Sequence, residues 1–475
     1  MFLIIVSVVL FAVFPLTDTD IWWHLACARK WVTTWTPVRE PVVNVHEYFQ
    51  QVVAIVYDVG GAPLLVVFKA ILWGLVFALF LRGVKCRNLM SSAIAVVVLF
   101  IFRYQFEIRP VLFSLLFFGI YWNVLPWLFR SRNEMRGLCA KRVACVALVL
   151  VLQWLWCRFQ GLYILGPLFA LLILWANGWS RRWGAFVVLL FAMPLLHRDG
   201  LNLFLYPFGL LDRLLGLSPS AAIFASEIAE NRSPITLLMA GENVLQSALM
   251  VVFSVAGIVF AVRRLRHAET VWLLVTAVLA LVAERNFVLF LPVLFAVGVK
   301  CWPRLCLCKQ SHDVRPSRLP NRLPPAAYRL LPTLLIAFTL GLWVKSLAFY
   351  DRSMVAYQRV PVAATQWMLE NPHSGRLFND DRAGGYLAFM NPSDSTFIDG
   401  RFILKTAEFF EKYLQYAESP QTFLHDADSL DIDRVVLPLR YYARWDKLLG
   451  TLDSSEKWHV AYRDSLFVVM DRTAH

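Results

Sequence analysis

The chain has 475 residues, of which 59% are hydrophobic, 15% aromatic and only 17% charged, with a mean hydropathy of +0.57. Soluble globular chains run at about 45–50% apolar and about 25% charged, so this balance excludes a disordered chain, a coiled coil and an ordinary cytosolic enzyme, and points to a multi-spanning membrane protein. The net charge of +13 does not argue for nucleic acid, because the basic residues sit in short loops between apolar runs, where Lys and Arg set membrane orientation.

Eleven apolar segments follow one another at 1–16, 62–81, 91–106, 110–129, 143–157, 162–178, 183–196, 243–262, 270–283, 287–300 and 330–349. They predict a mainly α polytopic transmembrane bundle over 1–350. Residues 1–16 lack a basic n-region and a small-residue cleavage site, so they read as a retained first helix. One alternate set of loops carries Arg82, Lys85 and Arg87, then Arg130, Arg132, Arg136, Lys141 and Arg142, then Arg181 and Arg182, then Arg263, Arg264 and Arg266, and last the Pro- and Arg-rich linker 303–329. By the positive-inside rule that set is cytoplasmic. The N-terminus is then cytoplasmic too, and the first loop 17–61, the 197–242 loop and the C-terminal domain 351–475 are extracytoplasmic. The eight cysteines show no zinc spacing and imply no disulfide framework.

The pattern changes after about residue 350. The last 125 residues hold 14 Lys and Arg against 18 Asp and Glu, whereas the first 350 hold 32 against 15. VPVAATQWMLENP, AEFFEKYLQYAES and YYARWDKLLGTLD read as helices. GRLFND, YLAFM, STFIDG, RVVLPL and SLFVVMDR read as short strands between them. Alternating strands and helices predict a small α/β domain large enough to bury its own core.

The first loop opens DTDIWWHLACARKW. Asp18 and Asp20 form a D-x-D, a spacing that suits a shared divalent cation (Mg or Mn) or a base beside a metal ligand, although Asp20 also stands where a helix N-cap would. Trp22, Trp23 and Trp31 would lay this helix in the membrane interface. His46 and Glu47 open a second helix, where caps are as natural as catalysts, and Gly60-Gly61 ends it. Ionisable groups then recur at outward turns: Glu107 and Arg109; Arg158 and Gln160; Glu227, Glu230 and Arg232; and Glu284, Arg285 and Asn286. Charges at membrane ends are costly unless paired, hydrated or used. Singly, each reads as an end residue or an ion pair. Together with Asp18, Asp20, His24, His46 and Glu47 they would line one outward polar cavity, with Arg suited to phosphate. Asp380-Asp381 before Gly384-Gly385, and Asp399-Gly400-Arg401, read as turn chemistry. No Walker loop, nucleophile elbow or H-E-x-x-H occurs.

The order D-x-D-x-W-W-H-L, H-E, G-G, RPVLFSLLFF, CRFQGLYILGP, IAENRSP, ERNFVLF, GGYL and FIDGR resembles bacterial multi-pass proteins placed near the GT-C class of membrane glycosyltransferases, distantly similar to oligosaccharyltransferases. The resemblance implies a donor sugar on a polyprenyl phosphate. It implies Asp18 and Asp20 as catalytic or metal-binding acids, and His24, His46 and Glu47 as first-loop support. It also makes Arg109, Arg158 and Arg285, with Glu230 and Asn286 beside them, candidates for the lipid phosphate. WMLENPHSGRLFNDDRAGGYLAF resembles the oligosaccharyltransferase region that holds a W-W-D-Y-G acceptor motif, but has N-D-D-R-A-G-G-Y and no tryptophan pair there.

The expected activity is transfer of a sugar from a polyprenyl-phosphate-linked donor to an unidentified acceptor at the outer face of a bacterial plasma membrane. The rival expectation is a non-enzymatic transporter or scaffold for lipid-linked saccharides. A transporter would carry ionisable groups at mid-membrane, and here Lys69 and Lys345 are the principal lysines inside apolar segments.

Overall fold

A chain segment in lipid must satisfy its backbone internally, and a helix does so within one segment. In the computed structural model every one of the eleven apolar segments is helical. The helices are Phe2–Phe11, the second half of Glu47–Phe80, Leu89–Ile101, Pro110–Phe129, Ala140–Phe159, Leu165–Asn177, Arg181–Ala192, Val244–Val262, Ala268–Val282, Phe287–Leu307 and Ala327–Ala348. The structure describes residues 1–39, 42–84, 89–129, 140–215, 218, 222–224, 227, 229–265, 267–307, 327–441 and 443–473. The basic positions Lys85, Arg87, Arg130, Arg132, Arg136 and Arg266, and most of the 303–329 linker, lie outside them.

Among the described residues five helices are long and apolar enough to cross a membrane: Glu47–Phe80, Pro110–Phe129, Ala140–Phe159, Val244–Val262 and Arg329–Ala348. The pair Arg181–Leu196 and Gly200–Gly209, bent by 109°, makes a sixth if taken as one span, and four further apolar helices are shorter. The chain is mainly helical, with several membrane-length apolar helices and an α/β domain. Glu47–Phe80 breaks where the sequence predicted, at Gly60-Gly61. Gly61 has φ 61° and ψ −160°, a region open essentially to glycine alone.

The chain divides into two units. The first comprises Met1–Phe14, Val66–Pro207 and Ser226–Tyr350. Its core is aromatic, with Trp122 stacked on Phe169 at 5.5 Å and Phe118 on Trp272 at 4.9 Å. Several of its buried polar groups are partnered: Tyr121 donates to Gln153 Oε1 (2.9 Å), Gln153 Nε2 to Tyr163 O (3.0 Å), and Trp156 Nε1 to Ser114 Oγ (2.7 Å). That is the condition for burying them at low cost. Lys69 is fully buried. Its Nζ donates to Phe14 O (3.2 Å), lies 3.4 Å from the Phe14 ring centre and is 3.8 Å from Glu107 Oε2. Lys345 is exposed in the last turn of its helix, where a cation suits the helix dipole.

The second unit comprises Pro15–Leu65, residues 208–225 and Asp351–His475. Its sheet has the order β1-β2-β4-β3, with β1 Arg376–Asn379, β2 Ile432–Pro438, β3 Trp458–Arg463 and β4 Phe467–Arg472. β1 and β2 pair in parallel, and the other pairs are antiparallel. Alternation splits the strand residues between two cores. Phe378, Val435, Leu437, Val468 and Met470 face one set of helices, through Phe410, Tyr413, Phe423 and Leu448. Leu377, Val436, Phe467 and Val469 face the other, through Ala364, Met368, Ala383 and Leu387. The result is an α/β/α sandwich.

Two strand expectations change, and one strand was not foreseen. YLAFM belongs to the helix Asp381–Met390, because Asp380 caps it, accepting from Ala383 N–H at 3.0 Å. A five-residue apolar run fits either period, and the cap decides. STFIDG forms no strand. It is extended and pairs instead with the first loop, Thr396 N–H bonding Thr33 O (3.1 Å) and Trp35 N–H bonding Thr396 O (3.0 Å). β3 is an edge strand with one buried residue, Trp458, and gives little apolar alternation to read.

Candidate functional site

The D-x-D stands at the head of the helix Asp20–Arg29. Asp20 does not take the expected cap role, which falls to Thr19 without a side-chain cap bond; Asp18 Oδ1 accepts from Asp20 N–H at 3.2 Å. Asp20 is the first helical residue, where the dipole favours a carboxylate. Its Oδ1 accepts the Trp23 indole N–H at 3.0 Å. The Trp23 ring lies 3.5 Å from the His24 ring and 6.3 Å from that of His46. His24 and His46 meet edge to face at 5.4 Å. Asp20, His24 and His46 therefore gather around one indole, with Asp18 joined through the Asp20 amide. Glu47 begins the second helix, and just ahead of it Asn44 Oδ1 accepts from His46 N–H (3.2 Å) and Gln50 Nε2 (3.2 Å).

Two of the three tryptophans, Trp22 and Trp23, face the protein interior rather than a membrane interface. Trp22 and Trp23 are buried at 1% and 8% exposure. Trp22 packs against Tyr386 at 4.8 Å and Phe389 at 5.8 Å. Their amphipathic rings suit a lipid boundary and a domain core equally well, and here they close the first loop onto the Asp381–Met390 helix.

The glycines make that closure possible. A side chain at Gly384 would fall on the Ile398 carbonyl, and one at Gly385 would come within 2.8 Å of Trp23 N. Arg401 then ties the loop down. Its guanidinium donates to Asp399, to Trp31 O (2.9 Å) and to Thr33 Oγ1. Thr33 also donates to Asp399 Oδ2 (2.7 Å). Burial works against the Asp399 carboxylate, yet Arg401 holds its pKa below the ordinary value. Lys405 Nζ donates to Thr34 Oγ1 (2.9 Å), Thr36 Oγ1 (2.8 Å) and Thr36 O (3.0 Å), and burial pulls its pKa down to about 8. Asp380 is buried, with Oδ2 unpartnered among the described residues. Burial, then the neighbouring Asp381, pushes its pKa up.

The arginine candidates lie in the first unit. Arg109 makes a two-point pair with Glu230, at 2.7 Å for each bond. Partial burial opposes ionisation of Glu230, but Arg109 lowers its pKa. Arg285 Nη1 donates to Asn231 Oδ1 (2.9 Å), and Tyr104 OH to Glu284 Oε1 (3.3 Å). The turns at 103–110, 229–232 and 284–286 thus come together. Arg158, 2% exposed, pairs with Asp199. Asn286 Nδ2 donates to Leu279 O (3.0 Å) and closes its own turn.

Among the described residues no three His, Cys, Asp or Glu side chains converge as a metal cage. The donor set at the D-x-D is two carboxylates, hard oxygen ligands of the kind that Mg²⁺ uses singly or in pairs alongside water and phosphate. Sequence reading missed Trp23 as the hub and Thr33, Thr34, Thr36, Lys405 and Asp199 as partners. The run TTWTP, three hydroxyl side chains in a short extended stretch, was the available signal.

No protein-family model and no curated protein matches this sequence. The fold is nevertheless similar to that of solved oligosaccharyltransferases. The structure is similar to the archaeal oligosaccharyltransferase AglB from Archaeoglobus fulgidus in complex with an inhibitory peptide and a dolichol-phosphate, with TM-score 0.55, 13% identity, and coverage of 92% of this chain and 69% of that one. It is similar to the Archaeoglobus fulgidus oligosaccharyltransferase in complex with Zn and sulfate, with TM-score 0.54, 14% identity, and coverage of 93% and 69%. The same enzyme tethered to an acceptor peptide containing the NVT sequon gives TM-score 0.56, 14% identity, and coverage of 99% and 74%.

Proposed function

We propose that this chain is a membrane glycosyltransferase of GT-C type. It takes a sugar from a polyprenyl-phosphate-linked donor and passes it to an acceptor at the outer face of a bacterial plasma membrane. The observation that carries the reading is the oligosaccharyltransferase fold over at least 92% of the chain, joined to a D-x-D at a helix head. A cytoplasmic N-terminus and an outer C-terminal domain are part of this reading, supported by the Lys and Arg bias of the loops.

The reaction is an inverting displacement. The acceptor's nucleophilic atom gives its proton to Asp18 or Asp20 and bonds the sugar's anomeric carbon. The bond from that carbon to the phosphate oxygen breaks, and the polyprenyl phosphate leaves with the electron pair. Arg109 and Arg285 supply guanidinium groups suited to a phosphate, whereas Arg158, expected to join them, is buried and committed to Asp199. Glu230 orients Arg109, and Asn286 holds the Arg285 turn. His24, His46 and Glu47 support the loop around Trp23. A divalent cation, where present, would be held by Asp18 and Asp20 and would neutralise charge on the leaving phosphate.

Purified protein is incubated with extracted polyprenyl-linked sugars, and the released lipid is read by mass spectrometry. The expected result is sugar-free polyprenyl phosphate from wild type, with a loss of about 10²–10⁴-fold in Asp18→Asn or Asp20→Asn at unchanged expression and insertion. No release by wild type leaves the scaffold reading.

A further inference from the structure

A catalytic carboxylate must be aimed as well as ionised, and the surroundings of Asp20 are unusually confined. One oxygen accepts the Trp23 indole N–H at 3.0 Å. The opposite wall is the backbone of Gly400. A methyl group built there would overlap Asp20 Oδ1 and come within 3.0 Å of both Cδ1 and Nε1 of Trp23. The clash falls on the end of a short side chain rather than on backbone, so a larger residue would swing the carboxylate aside while the fold persists. Gly400 has no positive φ, so alanine meets no backbone strain there. The wall itself is rigid: Asp399 Oδ1 accepts from Arg401 N–H at 3.0 Å, and the Arg401 guanidinium lies 5.7 Å from the Trp23 ring centre.

We infer that Gly400 and Trp23 are positioning residues for Asp20, the glycine leaving the space its carboxylate occupies and the indole N–H fixing its direction. The effect on rate rests on the transfer reading above. The effect on the carboxylate rests on geometry alone, and the two are measured separately.

Protein labelled with 5-fluorotryptophan gives a fluorine resonance for Trp23, assigned by its loss in Trp23→Phe. Asp20→Ala is expected to move that resonance, and Gly400→Ala to move it in the same direction. Gly450→Ala, at a glycine with open space around it, leaves it unmoved. In the transfer assay Gly400→Ala lowers kcat by about 10²-fold, the cost of a misplacement near 1 Å, while KM for the lipid donor stays within about twofold. Trp23→Phe, which keeps a ring and loses only the N–H, does the same, and the double variant loses no more than either single one.

A Trp23 resonance unmoved by Asp20→Ala or by Gly400→Ala overturns the inference, whether or not the protein turns over. A moved resonance with unchanged kcat overturns its bearing on rate. Absence of release by wild type sinks the transfer reading instead, and the fluorine shift still decides the positioning. If Gly400→Ala does not accumulate as folded protein, Trp23→Phe and Asp20→Ala carry the same two tests.

Discussion

The first loop with its C-terminal partner and the arginine turns of the helical unit place their charges differently. In the former, Arg401 and Asp399 have side chains only 9% and 2% exposed, and their contacts bridge parts of the chain 366 residues apart. In the latter, Arg109 and Glu230 are 32% and 44% exposed, and Arg232 and Glu242 are 34% and 47% exposed. A buried pair cannot exchange partners without stranding a charge. A half-exposed pair exchanges freely and contributes little to stability. The first arrangement therefore fixes architecture, and the second is compatible with the anion-binding role proposed for Arg109 and Arg285. Arg158 departs from its neighbours: it is buried like Arg401.

The sharpest way to break the contrast is Arg401→Met. Asp399 would be left buried and uncompensated, at a cost of about 3–5 kcal/mol. A thermal unfolding midpoint unchanged from wild type would mean that the network is ornamental.

A middle-sized effect is expected at His373. Its ring joins Asp433 Oδ1 (2.5 Å) to Asp394 Oδ2 (2.9 Å). Burial pulls its pKa down, but the Asp394 and Asp433 carboxylates together hold it at about 9. The folded value lies above the unfolded one of about 6.5. The histidine's contribution is thus complete below about pH 6.5 and lost as pH rises to about 9. Thermal midpoints from pH 6 to 9.5 should fall more steeply in wild type than in His373→Gln, and parallel curves would refute the charged bridge.

The smallest effect belongs to the exposed class. Arg232→Gln should leave the thermal midpoint unresolved from wild type at 0.15 M salt, and a clear drop would move that pair into the architectural group.

What the sequence exposed and what it hid divide along the same line. Apolar runs read directly as helices, because a helix in lipid needs no distant partner. The Gly60-Gly61 break was equally local. The sheet was half legible: RVVLPL and SLFVVMDR carry apolar alternation, whereas β3 buries Trp458 alone. The polar frame of the first loop was illegible. Thr33, Thr34 and Thr36 are defined by Asp399, Arg401 and Lys405, and no local pattern announces a partner more than 360 residues away. Trp22 and Trp23 were misread for the same reason, since an interfacial tryptophan and a domain-core tryptophan look alike until the other surface is known. Asp18 and Asp20 stood out because their spacing is itself local, but the Gly400 wall beside Asp20 is 380 residues away and did not.

The 366-residue gap between Thr33 and Asp399 also sets a timetable. A ribosome adding about 5–20 residues per second needs roughly 20–70 s to reach Asp399 after Thr33 has been made. Throughout that interval the aspartates, histidines and tryptophans of the opening loop have been synthesised, yet the platform that organises them does not exist. Biogenesis therefore completes the loop last, although it is among the first segments translated.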